Sequence, residues 1–268
     1  MQVAVTIIAY SNSPTELELK SFDQCLRVLG RHPLILVCPD SLNIQIYEDI
    51  AERQRISLRV ERFADNWFTS VQQYNLLLLS TDFYKRFCDI GYILIYQLDA
   101  WVFSDQLLEW CDKGYYYIGA PWFNGQGELL PIAGNGGFCL RSPSACLRLL
   151  SGELVKMWNF TFMFLRFPTL RSSYHHFQDM LHFWWNPHEY IKAWPQNEDV
   201  FFSKALEFTA HGKVAPPSEA MFFSFECFPE KLYSLTGQKL PFGCHAIARY
   251  NPTFWKNWIP ALQTTTSD

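Results

Sequence analysis

Apolar residues fill positions 3–9 almost without a break, and past them the hydrophobic pattern changes period. Leu19, Phe22, Leu26 and Leu29 recur at helical spacing. Ser13-Pro14-Thr15-Glu16 reads as a capping box with proline at the first helical position, and Gly30 as the stop. A second apolar run, 34–38, ends at Pro39-Asp40, and a weaker helical pattern over 44–52 leads to a third strand at 56–63. A long helix is predicted over 70–87 and a fourth strand over 92–98. Repeated alternation of strand and helix predicts an α/β protein whose mostly parallel sheet is covered by helices on both faces. Ligands of such sheets bind at the carboxyl ends of the strands.

After residue 104 the regularity fades. The pattern gives a short helix at 104–111, a strand at 115–120 and a helix at 142–150 opened by Ser142 and Pro143. Residues 155–194 are dense in Trp, Phe, Tyr and His. No linker-like composition and no repeat interrupts the chain, so one continuous domain over 1–268 is expected, with halves at 1–104 and 105–268.

Composition narrows the class. Of 268 residues 49% are hydrophobic and 17% aromatic, which excludes a disordered chain. A net charge of −4 with mixed signs gives no basic face for nucleic acid. The apolar start has no basic flank and reads as a core strand rather than a signal peptide. No apolar run reaches membrane-spanning length, because Arg166 and Pro168 break the aromatic region. Eight scattered cysteines without a C-x-x-C pair fit reduced thiols in the cytoplasm.

Four stretches carry candidate chemistry. In Tyr92-Ile-Leu-Ile-Tyr-Gln97-Leu-Asp99-Ala100, Gln97 and Asp99 share one face of the strand end. Asp99 is there either as a turn acid or as a cation ligand. Gly134-Asn135-Gly136-Gly137-Phe138 is either a tight turn or a backbone that approaches a ligand closely. In Asn197-Glu198-Asp199, the acids either stabilise a helix start or supply a general base in Asp199. His245, in Pro241-Phe242-Gly243-Cys244-His245-Ala246, is either a core residue or a partner for a metal begun by a carboxylate.

In this order the four stretches resemble the core of GT-A glycosyltransferases. The chain looks closer still to a largely uncharacterised bacterial-type family of that superfamily. That family carries Tyr-Gln-Leu-Asp-Ala, Gly-Ala-Pro-Trp, Gly-Asn-Gly-Gly-Phe, Asn-Glu-Asp-Val-Phe and Pro-Phe-Gly-Cys-His-Ala segments, matched here at 96–100, 119–122, 134–138, 197–201 and 241–246. Phe223-Ser224-Phe225-Glu226 fits as well.

The resemblance implies a GT-A fold with a Rossmann-like nucleotide-sugar-binding half (1–104) and an acceptor-binding, catalytic half (105–268). It implies transfer of a sugar from a nucleotide-diphosphate donor to a hydroxyl of a glycan or lipid-linked glycan. Asp99 and His245 would hold Mn2+ or Mg2+; Asp199, with Glu198 beside it, would be the catalytic base of an inverting reaction. Tyr10, Asn75, Gln97, Asp99, Gly136 and Gly137 are the candidate donor contacts. One departure stands out: Gln97 occupies the place where many GT-A enzymes carry a first acid, so the metal would lean on the donor's diphosphate.

Trp184, Trp185 and Trp194 are the candidate acceptor contacts, the alternative for each ring being ordinary core. His175, His176 and His182 match no strong ligand spacing. A cytoplasmic protein is expected, with peripheral contact at the inner face of a membrane left open. Two rival readings share these residues: a non-catalytic carbohydrate-binding protein, and a metal-dependent sugar-nucleotide hydrolase or nucleotidyltransferase.

Overall fold

The computed structural model describes residues 2–153, 181, 185–207 and 213–263. Strands β1 (Val3–Ile8), β2 (Leu34–Pro39), β3 (Leu58–Phe63) and β4 (Tyr92–Gln97) run parallel to one another. Four short strands follow, β5 (Trp101–Val102), β6 (Tyr117–Ile118), β7 (Pro121–Phe123) and β8 (Leu129–Ala133), and then β9 (Phe138–Arg141). The main sheet has the order β3-β2-β1-β4-β9-β6, with β9 antiparallel to both of its neighbours. The mostly parallel sheet expected from the alternating pattern is therefore present.

Strand composition follows position in this sheet. β1, β2 and β9 are buried throughout, β4 as far as Tyr96, and these read as near-continuous apolar runs. Edge strand β3 alternates instead, turning Arg59 outward while Leu58 and Val60 pack inward. Alternate residues of β1 feed two cores. Val3, Val5 and Ile7 pack with α1 (Glu16–Leu29) and α2 (Gln45–Arg53) on one face. Ala4 and Ile8 face α3 (Val71–Leu78), α4 (Thr81–Lys85) and, later in the chain, the helices over 143–150 and 198–207.

Two local expectations are corrected. The cap of α1 is Thr15, not Ser13: its hydroxyl accepts from Glu18 N while the Glu18 carboxylate accepts from Thr15 N, so the box runs Thr15-x-x-Glu18 and Pro14 lies outside the helix. The single helix predicted over 70–87 is two. Ser80 leaves helical geometry and its hydroxyl accepts from Phe83 N, opening α4 afresh. Apolar periodicity ran across the break because both helices bury the same face.

The second half adds α5 (Leu107–Asp112), α6 (Pro143–Leu150), α7 (Pro187–Lys192), α8 (Glu198–Glu207), α9 (Pro217–Phe223), α10 (Pro229–Leu235) and α11 (Pro252–Trp255). Strands β10 (Ser224–Phe225) and β11 (Gly243–Cys244) join β5 in a second sheet of order β10-β11-β5, and β7 pairs with β8 in a third. Among the described residues no helix is long and apolar enough to cross a membrane.

Candidate active site

Register in the small sheet assembles the first part of the site. Phe225 pairs with Cys244, and Cys244 with Trp101. The residues next to these pairs, Glu226, His245 and the nearby Asp99, consequently meet at one end. His245 Nε2 lies 3.0 Å from Asp99 Oδ1 and 3.1 Å from Gln97 Oε1, and its Nδ1 lies 3.5 Å from Glu226 Oε1. Burial works against a charge on His245, but hydrogen bonding to Asp99 and Glu226 pushes its pKa up to about 10. Burial would raise the Asp99 carboxyl, yet the hydrogen bond and charge of His245 hold it below its ordinary value.

The glycine loop supplies the second part. It is not the tight turn of a hairpin: β8 before it and β9 after it belong to different sheets. Gly134 takes a φ of +140°, which a side chain would not tolerate. Gly137 O accepts from Gln97 N at 2.9 Å, so the loop is hydrogen-bonded to the end of β4. The His245 ring lies against the Gly137 backbone, and a side chain there would collide with the imidazole itself. On the other side, Gly136 faces Glu198 and Asp199. Gly137→Ala is expected to displace His245 and destabilise the fold by about 1–3 kcal/mol, as overpacking does. An unchanged urea midpoint would show that the ring can yield without cost.

The two acids at the start of α8 have different surroundings. Glu198 Oε1 accepts from Arg141 at 2.6 Å, and both side chains are buried. Arg141 also donates to the Tyr84 hydroxyl at 3.0 Å and lies over the Tyr117 ring, 5.0 Å from its centroid. Asp199 Oδ2 accepts from Gly136 N at 3.1 Å, and its Oδ1 from Val200 N at 2.6 Å. Burial, and next the charge of Glu198, push Asp199 up to about 7.

These groups open on one cavity of about 540 Å³ at the carboxyl end of the parallel strands. All the candidate donor contacts, Tyr10, Asn75, Gln97, Asp99, Gly136 and Gly137, line it, together with Glu198, Asp199 and His245. Tyr10 is 59% exposed, and its side chain stands at the cavity edge. Asn75 donates not to backbone but to the Asn197 side chain, at 3.0 Å. This amide pair also borders a second cavity of about 420 Å³, which Trp194 lines as well.

Trp194 is thus near the site, its indole N–H donating to Asn197 O at 3.2 Å. Trp185 is 80% exposed and lines neither cavity. Trp184, His175, His176 and His182 lie outside the described residues.

Three residues of the site were given no role by sequence reasoning, Glu226 having entered only as the end of the 223–226 segment. Glu226 follows an apolar stretch and Arg141 ends one, and a lone charge in such a place is the available signal for both. Arg249, four residues beyond His245, also lines the cavity.

The residues around His245 fit a divalent ion only in part. Among the described residues there is no group of three or more His, Cys, Asp or Glu that could hold a metal. What converges is one imidazole nitrogen, one carboxylate oxygen and one amide oxygen, a set that suits a divalent ion only if further oxygens come from elsewhere.

The six-stranded, mostly parallel sheet with a cavity at its strand ends is an α/β fold of the GT-A type, like that of the solved galactosyltransferase LgtC. Within it the chain belongs to the family described as protein of unknown function (DUF5672), whose model matches residues 57–245. No curated protein matches the chain. Among solved structures it is similar to the galactosyltransferase LgtC in complex with donor and acceptor sugar analogs, at 11% identity and a TM-score of 0.53, with 99% of this chain and 97% of that chain covered.

It is also similar to the apo-form glycosyltransferase GlyE of Streptococcus pneumoniae TIGR4, at 11% identity and a TM-score of 0.49, covering 98% of this chain and 62% of that one. A third is the mannosyltransferase PcManGT of Pyrobaculum calidifontis in complex with GDP-Man and Mn2+, at 14% identity and a TM-score of 0.40, covering 55% and 46%. The chain spans less than two thirds of the length of these last two.

Proposed function

We propose that this protein is a glycosyltransferase that moves a sugar from a nucleotide-diphosphate donor to an acceptor hydroxyl. The observation that carries this reading is one cavity lined both by Asp199, which neighbours Gly136, and by the Asp99–His245 pair, whose imidazole neighbours Gly137. Such a layout separates a proton acceptor from the place where leaving-group charge collects.

Donor binding uses Tyr10 as a stacking surface for the base and Asn75 as a polar contact. Asp199 takes the proton of the incoming hydroxyl, and attack on the face away from the diphosphate inverts the anomeric centre. Its raised pKa suits that work, since a base titrating near neutrality combines the right protonation state with enough basicity. Glu198, tied to Arg141, fixes the start of α8 and so the aim of Asp199. Asp99, His245 and Gln97 would hold Mn2+ or Mg2+ when the donor's phosphate oxygens complete the set. Bound there, the ion would supply Lewis-acid stabilisation of the departing diphosphate.

On the acceptor side the reading is a glycan or lipid-linked glycan. Trp194 beside the second cavity is the best-placed ring for it, and Trp184 and Trp185 are the further candidates. The protein works in the cytoplasm in this reading, with peripheral contact at the inner membrane face if the acceptor is lipid-linked.

Thermal shift with UDP-, GDP-, CMP- and dTDP-sugars, with and without manganese, tests the donor site. One donor class at 100 times its dissociation constant is expected to stabilise the fold by about 2.7 kcal/mol, and Asp99→Ala to remove whatever part of the shift manganese adds. A folded sample that responds to no donor would move the assignment to a carbohydrate-binding protein.

A further inference from the structure

A diphosphate brings several negative charges into a cavity that already carries four carboxylates, Asp99, Glu198, Asp199 and Glu226. Something cationic must meet them. Arg141 is spent on Glu198 in the interior, and His245 faces Asp99 and Glu226. Among the described residues lining the cavity, one lysine or arginine remains, Arg249. It makes no salt bridge among the described residues; its guanidinium stands 5.2 Å from the centroid of the Tyr250 ring and is exposed to solvent.

The backbone brings Arg249 to this place by a strained turn. Ala246 holds a φ of +52°, in the left-handed region that alanine rarely adopts. Its carbonyl accepts from Arg249 N at 2.9 Å and Tyr250 N at 3.0 Å, closing the turn. Ile247 N donates to Asp99 O at 3.3 Å, which ties the turn to the end of β4. A guanidinium that stacks on a neighbouring ring yet makes no salt bridge among the described residues, at the edge of a cavity rich in carboxylates, is positioned to meet an anionic ligand.

We propose that Arg249 binds the diphosphate of the donor, and that it lets the site hold a nucleoside diphosphate without a divalent ion. The proposal rests on the donor reading above and names the contact that makes it work despite Gln97. Arginine suits the task because its planar fork can donate two parallel hydrogen bonds to phosphate oxygens.

The test is direct binding in EDTA, by calorimetry, of UDP, GDP, inorganic pyrophosphate, uridine and guanosine. The wild type is expected to bind pyrophosphate and one of the two nucleoside diphosphates. Arg249→Met is expected to weaken both about 10- to 150-fold, the worth of a hydrogen bond to a charged group. Binding of the matching nucleoside should stay unchanged, and Arg249→Lys should recover part of the loss. Equal diphosphate affinity in Arg249→Met, or an equal loss for the nucleoside, would overturn the assignment. Wild-type binding that requires added manganese would overturn it too while leaving the donor reading intact. A folded wild type that binds no diphosphate with or without manganese would remove both.

Discussion

Asp199→Asn is expected to lower turnover about 100- to 10,000-fold, the usual loss when a positioned base is removed, while donor affinity stays near the wild-type value. The wild-type rate should rise with pH through about 7, because only the carboxylate accepts a proton and burial with the Glu198 charge raises Asp199 to that value. The same shift separates lost chemistry from lost structure. Asp199 titrates at about 4 in an unfolded chain, so between there and about 7 the folded protein keeps a proton that the unfolded one gives up. Stability from this group therefore declines as pH rises across that window. At pH 8 the asparagine variant should unfold no more easily than the wild type. Normal turnover in a folded variant would remove Asp199 from the role of base.

The largest effect on stability is expected from Arg141→Met. It leaves Glu198 buried without its partner, 5% exposed and facing the Gly136 backbone. Breaking a buried pair from one side costs about 3–5 kcal/mol, a large part of the stability of an ordinary domain. Urea unfolding should show the midpoint falling by a corresponding amount. The double variant Arg141→Met with Glu198→Met should recover much of the loss, since no unpaired charge is then left inside. A single variant with the wild-type midpoint would mean that Glu198 finds another partner or water, and that Arg141 does not set the aim of α8.

The sheet was legible in the sequence because β1, β2 and β4 are buried on both faces and so read as unbroken apolar runs between helical patterns. The break between α3 and α4 was not, since a serine inside an apolar periodicity gives no sign of whether its hydroxyl will cap a new helix. Among the candidate residues, Gln97, Asp99, the glycines, Asp199 and His245 each lie in a compact segment, and the structure brings those segments into one cavity.

Partnerships were out of reach. Arg141 meets Glu198 across 57 positions, and the Asn75–Asn197 pair spans 122. No local pattern encodes contacts made only when β9, α3 and α8 pack together. The roles of Glu226 and Arg249 escaped for the same reason: their positions depend on the β10-β11-β5 register and on the turn at Ala246, not on spacing.

The most direct test of the central claim is the identity of the nucleotide released when the purified protein turns over its stabilising donor. Glycosyl transfer predicts a nucleoside diphosphate, appearing in step with loss of the intact donor and absent with Asp199→Asn. Release of a nucleoside monophosphate from a diphosphate donor would contradict the account, because it requires cleavage within the diphosphate rather than at the sugar.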